Sequence, residues 1–336
     1  YRRGQLLARD EVGDLVVVDI GFALPDPSWP VLFTDLDAAQ LLPEFTAEMH
    51  KGDRGRIAVV GGGPGLTGAG RLAARAAFAA GAGQVHLIAP ESSVAVFAAA
   101  EPDLQTVAQS FELPLGSAAL TTLERAAAVI VGPGLGLHLE RHRFVREILA
   151  RAATGVVDAD GLSAFGGRVD ELRDAIGGRP MVITPHLGEF RALFPDLASG
   201  AAVDPWTAAA TAAERLHATV LLKGVPTVVA GTGGTPVTVA SGNPGLATGG
   251  SGDTLSGLIA TFLAQGLPPV SAAALGAHVM GAAADVAALR HSARGMRPTD
   301  VIAAVPEIWR GWRLRLDAGW SIHPPVLHQL ERPRHQ

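Results

Sequence analysis

From residue 51 onward the chain alternates short, unbroken apolar runs with stretches of helical spacing. The runs Arg56-Ile57-Ala58-Val59-Val60, Val85-His86-Leu87-Ile88, 126–131, Val156-Val157, Met181-Val182-Ile183 and Val220-Leu221-Leu222 predict strands buried on both faces. Helices are predicted over 69–80, 141–152, 189–193 and 205–217, so the pattern is that of an α/β protein with a mostly parallel sheet covered on both sides. After Gly224, runs at 227–230 and 236–240 joined through Gly231–Gly234 predict a hairpin-like excursion. Leu255, Leu258, Ile259, Phe262 and Leu263 fall at i, i+3, i+4, i+7 and i+8 and predict an amphipathic helix that Gly266 and Pro268 end. The run 271–289 is almost wholly small or apolar. It contains His278 and Asp285 and is built largely of weakly lipophilic alanine, which predicts a buried helix rather than a membrane span.

The two ends read differently. Residues 1–30 hold one strand, 15–20, followed by Gly21, Pro25, Pro27 and Pro30; a short helix at 35–42 has Thr34 as its N-cap and Pro43 behind it. Residues 1–45 are therefore expected to be the end of an upstream unit plus a linker, 46–315 a single large domain, and 316–336, with Pro324, Pro325 and Pro333, a flexible tail.

Composition narrows the partners. The chain has 336 residues, 48% apolar and 18% charged, ordinary for a globular core. Its net charge of −5, with no basic stripe, argues against nucleic acid, and the absence of cysteine removes thiolate metal sites and Cys nucleophiles. The opening Tyr1-Arg2-Arg3-Gly4 lacks an initiating Met and has no apolar run behind it, which gives no signal peptide and implies residues upstream.

The chemistry concentrates at strand exits. Thr248-Gly249-Gly250-Ser251-Gly252-Asp253 runs straight into a helix, where unpaired N–H groups and the positive dipole end favour an anion. A carboxylate there would repel phosphate, so Asp253 reads as a base or metal partner, or as a simple N-cap; the local pattern leaves these open. Gly132-Pro133-Gly134-Leu135-Gly136, Asp158-Ala159-Asp160, Thr184-Pro185-His186-Leu187-Gly188-Glu189 and Leu222-Lys223-Gly224 are further polar or glycine-rich exits, and the carboxyl edge of an open α/β sheet is where ligands bind. Gly63-Pro64-Gly65-Leu66-Thr67-Gly68 matches the dinucleotide fingerprint G-x-G-x-x-G, but Glu91 is badly placed as its acidic partner. Asp158 and Asp160 have the gap of an oxygen-ligand pair without a third ligand, so no protein-built metal site is predicted. Any divalent ion is expected as Mg²⁺ carried on nucleotide phosphates. Neither a Walker A loop nor a serine nucleophile elbow is present.

In order along 50–310, Lys51-Gly52 with the glycine loop to Gly68-Ala69, 132–136, 158–160, 184–190, 222–228 and 245–253 make the chain resemble the ADP-dependent NAD(P)H-hydrate dehydratases of the ribokinase-like superfamily. Residues 13–21 look like the last strand of the NAD(P)H-hydrate epimerase domain that precedes the dehydratase in bifunctional bacterial proteins. The resemblance implies a ribokinase-like three-layer αβα sandwich with a mostly parallel central sheet. It also implies a cytoplasmic homo-oligomer that repairs the S epimer of hydrated NADH or NADPH, with ADP as phosphoryl donor and Mg²⁺. By the same resemblance Asp253 is the base, and the N–H groups of Gly250, Ser251 and Gly252 form the anion hole. Lys223, Gly224, Val225, Pro226 and Thr227, with Gly252, hold the nucleotide; Ala69, Gly134, His186 and Asp253 hold the hydrated dinucleotide. Pro226 and the Trp/Arg-rich segment after Pro306 lie outside the pattern. A ribokinase-like vitamin-alcohol kinase shares the Gly-x-Gly-Asp turn; a nucleotide-binding scaffold and an NAD-dependent oxidoreductase are the other readings.

Overall fold

Short apolar runs and glycine exits produce strands of two to six residues in the computed structural model, which describes residues 3–12, 15–18, 26, 28–317 and 327–330. They are β1 (Leu15–Val18), β2 (Val31–Leu32), β3 (Arg56–Val60), β4 (Gln84–Ala89), β5 (Gln105–Ala108), β6 (Ala128–Val131), β7 (Gly155–Val157), β8 (Met181–Ile183), β9 (Thr219–Leu222), β10 (Thr227–Ala230), β11 (Val237–Val239) and β12 (Leu327–Leu330). β1 and β12 pair antiparallel by themselves. The others form one sheet in the order β2-β11-β10-β9-β8-β7-β6-β3-β4-β5, parallel throughout except for the two pairings of β10.

Successive residues of the central strands feed two separate cores, as a pleat requires. Ile57, Val59, Ile130, Val156, Val182 and Leu221 pack with the helices Thr67–Ala79, Ser251–Ala264, Pro269–Gly295 and Pro298–Asp317. Ala58, Val60, Val129, Val131, Val157, Ile183 and Leu222 pack on the other face with Arg141–Leu149, Val169–Ile176, Leu187–Leu193 and Pro205–Leu216. The result is the expected αβα sandwich. Pro269–Gly295 is the one described helix long and apolar enough to cross a membrane, and 72% of its apolar window is buried inside the protein.

Several expectations need correction. The segment placed in a linker before residue 45 is part of the sandwich: β2 extends the sheet beside β11, and the helix Asp35–Leu41, capped by Thr34 as expected, buries Ala38 and Ala39 in the core. The Trp/Arg-rich stretch is the end of the helix Pro298–Asp317, where the Trp309 Nε1 donates to Ala79 O at 2.9 Å and Trp312 stacks on His278. Of the tail, Leu327–Leu330 pairs with β1; 318–326 and 331–336 lie outside the described residues, as do 19 and 20 of the predicted first strand. β5 escaped prediction because Gln105-Thr106-Val107-Ala108, an edge strand, carries no apolar run.

The helix Ser251–Ala264 is not amphipathic but buried on every side from Thr254 to Leu263, because it lies between the sheet and two other helices. Gly257 allows its closest approach to Thr67–Ala79: a Cβ there would stand 2.2 Å from Ala73 O and 2.8 Å from Ala76 Cβ. Helix propensity alone would make Gly257→Ala a gain of about 1 kcal/mol. The clash instead predicts a loss of about 2 kcal/mol, read as a lower urea midpoint at unchanged slope; a raised midpoint would contradict this packing.

Candidate active site

The strand order β5-β4-β3-β6-β7-β8 is that of a doubly wound dinucleotide fold, with its switch point between β3 and β6. The loops leaving those two strands interlock. Gly62 N–H donates to Pro133 O at 2.8 Å and Gly63 N–H to Gly134 O at 2.7 Å, so donors that a pyrophosphate-binding loop would present to its ligand are already used. A Cβ on Gly61 would lie 2.0 Å from Pro133 O, which makes glycine obligatory there. The G-x-G-x-x-G match is thus a packing device. It also brings two of the expected dinucleotide positions together: a Cβ on Gly134 (φ +64) would be 3.2 Å from Ala69 Cβ.

A second cluster forms at the ends of β7, β8 and β9. Asp158, just past β7, is buried; its Oδ1 accepts from Lys223 Nζ at 2.8 Å and its Oδ2 from Ser256 Oγ at 2.9 Å. Burial alone would push the Asp158 carboxyl upward, but the Lys223 charge and hydrogen bonds from Lys223, Thr184 and Ser256 hold it below the usual range. Lys223 Nζ also lies 3.7 Å from Glu189 Oε2. Burial disfavours the ammonium, yet Asp158, Glu189 and Asp253 together raise it. Glu189 is raised, first by burial. His186 caps the helix Leu187–Leu193: its Nδ1 accepts from the N–H groups of Gly188 and Glu189, while its own N–H donates to Glu189 Oε2 at 2.8 Å. His186 pairs with Lys223 as an isolated parallel bridge, so it stands with the lysine cluster rather than beside Ala69 and Gly134.

Between the two clusters lies the turn at 250–253. Gly250, left-handed at φ 98°, is the N-cap, and no side chain caps the helix. Asp253 sits in the first turn, which removes the N-cap reading. A Cβ on Gly250 would meet Leu72, one turn along the helix that carries Ala69, and one on Gly252 would lie 3.3 Å from Asp158 Oδ2 and 3.4 Å from Lys223 Nζ. Of the three expected N–H donors, Ser251 N–H is engaged by Thr248 O at 3.2 Å; among the described residues those of Gly250 and Gly252 have no such partner. The Asp253 carboxyl is pushed up to about 6 by burial and by the charge of Asp158, with Lys223 pulling the other way and Asp160 adding a little. A base poised near neutral pH is what proton abstraction from a hydroxyl needs.

The remaining expected positions form the turn between β9 and β10. Pro226 is buried, Val225 is exposed at the tip, and Thr227 Oγ1 donates to Gly224 O at 3.1 Å. Asp158 and Asp160 do not act as a pair, since Asp160 Oδ2 accepts from Gly136 N–H at 2.8 Å. Among the described residues no cluster of three or more His, Asp or Glu could hold a metal ion. Ser256 escaped the sequence reading, although it falls one helical turn after Gly252, the spacing that shares a face.

The model of the NAD(P)H-hydrate dehydratase family matches residues 57–307, three quarters of the chain. The chain belongs to this family. It is 40% identical over 315 residues to the bifunctional NAD(P)H-hydrate repair enzyme Nnr of Salinibacter ruber, covering 88% of this chain and 57% of that protein. With Nnr of Escherichia coli it shares 36% identity over 260 residues, 77% of this chain and 48% of that protein. The chain thus spans about half the length of the curated relatives it matches. Among solved structures, a ribokinase-like superfamily protein from Enterococcus faecalis matches with a TM-score of 0.73 at 24% identity, covering 87% of this chain and 99% of that one. An ADP/ATP-dependent NAD(P)H-hydrate dehydratase from Bacillus subtilis, co-crystallised with ATP/Mg²⁺, matches at 0.72 and 24%, covering 84% and 99%. The dehydratase-family chain has the ribokinase-like fold.

The Asp253 shift has a consequence for stability. Its folded pKa lies above the unfolded value of 3.8, so the folded state holds the proton more tightly and the ionised carboxyl destabilises the protein at neutral pH. Asp253→Asn is expected to raise stability by roughly 2 kcal/mol at pH 7, after allowance for partial exposure. That gain shrinks as pH falls through about 6 and vanishes below the unfolded pKa. Denaturant unfolding at pH 5 and pH 8 checks this; an advantage equal at both would refute the shift.

Proposed function

We propose that the chain carries out the ADP-dependent dehydration of hydrated NADH and NADPH, a repair reaction of the nicotinamide nucleotides. The observation that carries this reading is the Asp253 carboxyl, held near neutral pKa in the first turn of a glycine-led helix and beside Lys223, in a chain of the NAD(P)H-hydrate dehydratase family.

Asp253 takes the proton from the hydroxyl of the hydrated ring as that oxygen attacks the β-phosphorus of ADP. The new P–O bond forms as the bond to AMP breaks, and AMP leaves. The ring phosphate then departs with loss of a ring proton, restoring the double bond; hydrate and ADP yield NAD(P)H, AMP, phosphate and a proton. The N–H groups of Gly250 and Gly252 and the helix dipole take up charge on the moving phosphoryl group, with Ser251 N–H joining if it leaves Thr248. Lys223, fixed by Asp158, adds a positive charge beside Gly252. The turn 223–227 and Gly252 hold the nucleotide, while Ala69, Gly134 and His186 hold the hydrated dinucleotide against Asp253, His186 from its place beside Lys223.

ADP is taken as the donor and Mg²⁺ as its companion on the phosphates, where it spreads negative charge; the Bacillus subtilis relative crystallised with ATP/Mg²⁺ supports nucleotide and ion alike. Residues 13–21 fit the end of an epimerase domain, in keeping with the bifunctional relatives, and that activity is not assigned to this chain. The protein is proposed to act in the cytoplasm as a homo-oligomer.

Mixing the protein with ADP and hydrated NADH should restore the absorbance of reduced nicotinamide. Asp253→Ala is expected to lower kcat about 10³-fold while nucleotide binding persists. The wild-type kcat/KM should fall on the acid side with a midpoint near 6, because the base must be ionised. Lys223→Met should move that midpoint upward, since its ammonium lowers the Asp253 pKa. No recovery of absorbance, alongside ATP consumption with a vitamin alcohol, would replace this reading by a small-molecule kinase.

A further inference from the structure

At the amino-terminal edge of β3, β4 and β5, far along the sheet strands from the catalytic turn, the parallel sheet carries a row of polar residues. Arg56 stands opposite Gln84, and His86 opposite Gln105, so all four lie on one face where the pleat would ordinarily place apolar side chains. The end of the helix Ser117–Arg125 adds Thr121, Thr122 and Arg125, and the seven residues line an open recess of ≈ 200 Å³.

Charge and hydrogen bonding within the recess are one-sided. Two arginines line it, and no carboxylate does. Arg56 is held in place by Gln84, whose Oε1 accepts from its Nε at 3.1 Å and Nη2 at 2.9 Å; this fixes the guanidinium without neutralising it. The His86 Nε2 is buried and receives no hydrogen bond from any described protein group, so it is left to a water or an ion. Burial, and then the Arg56 charge, hold the His86 imidazole below its usual pKa, consistent with positive charge that nothing in the recess offsets.

We infer that this recess is a binding site for a small oxyanion of phosphate's size. Arg56 and Arg125 supply the charge, Gln105 and Thr121 the hydrogen bonds, and the His86 ring forms one wall. It is independent of the proposed dehydration, because its residues share none with the turn at 250–253.

The His86 ring is a built-in reporter. Inorganic phosphate and AMP are titrated separately into the full chain, followed by NMR of the histidine ring protons with His86→Gln assigning the signal. A saturable shift of the His86 resonances and a rise of its titration midpoint are expected, with loss of both in Arg125→Ala and in Gln105→Ala, exposed positions whose replacement spares the fold. A response to phosphate assigns a free anion, and a response to AMP alone a phosphate ester; either supports the site. No saturable shift with either ligand, or a shift unchanged in both variants, would overturn it.

Discussion

The carboxylate of Asp158, buried at the end of β7, is held charged in the interior first by Lys223, which reaches it from the end of β9, and then by hydrogen bonds from Thr184 and Ser256. Asp158 and Lys223 bring the carboxyl ends of their strands to one point, and the bond from Ser256 draws the helix Ser251–Ala264 onto the same point. Removing either partner would strand the other, at a cost of about 3 kcal/mol or more. The pair also sets the electrostatics of its neighbour: Asp158 pushes the Asp253 proton affinity up and Lys223 restrains it, so a structural ion pair tunes the candidate base. The electrostatics of the candidate turn thus depend on this ion pair.

Close backbone approach does the rest. The glycine loops after β3 and β6 hydrogen-bond to each other, and Gly257 lets Thr67–Ala79 press against Ser251–Ala264. These contacts bring Ala69 beside Gly134 and Gly250 beside Leu72, while Gly252 lies by Asp158 and Lys223, with Glu189 and His186 next to the lysine.

Much of this was legible along the chain. Runs such as Ile57 to Val60 could only be strands buried twice over, and glycine-rich or charged residues at six of their exits marked the ligand edge. What stayed hidden depended on distance in sequence. Nothing local pairs Asp158 with Lys223, 65 positions on, or with Ser256, 98 positions on. β2 is two residues of an edge, too short for any periodicity, and the Trp/Arg-rich segment after Pro306 fits no pattern until Ala79 and His278 receive Trp309 and Trp312. The Gly63–Gly68 match, discounted from the misplaced Glu91, has its explanation in packing: a fingerprint records where glycines are needed and not whether a ligand or another loop comes close.

The most direct test of the account is a crystal structure of the protein with ADP. The β-phosphate is expected within about 3 Å of the N–H groups of Gly250 and Gly252, with Asp253 facing its phosphorus and the ribose end over the 223–227 turn. A diphosphate bound at the 61–68 loop, with the 250–253 turn untouched, would contradict it.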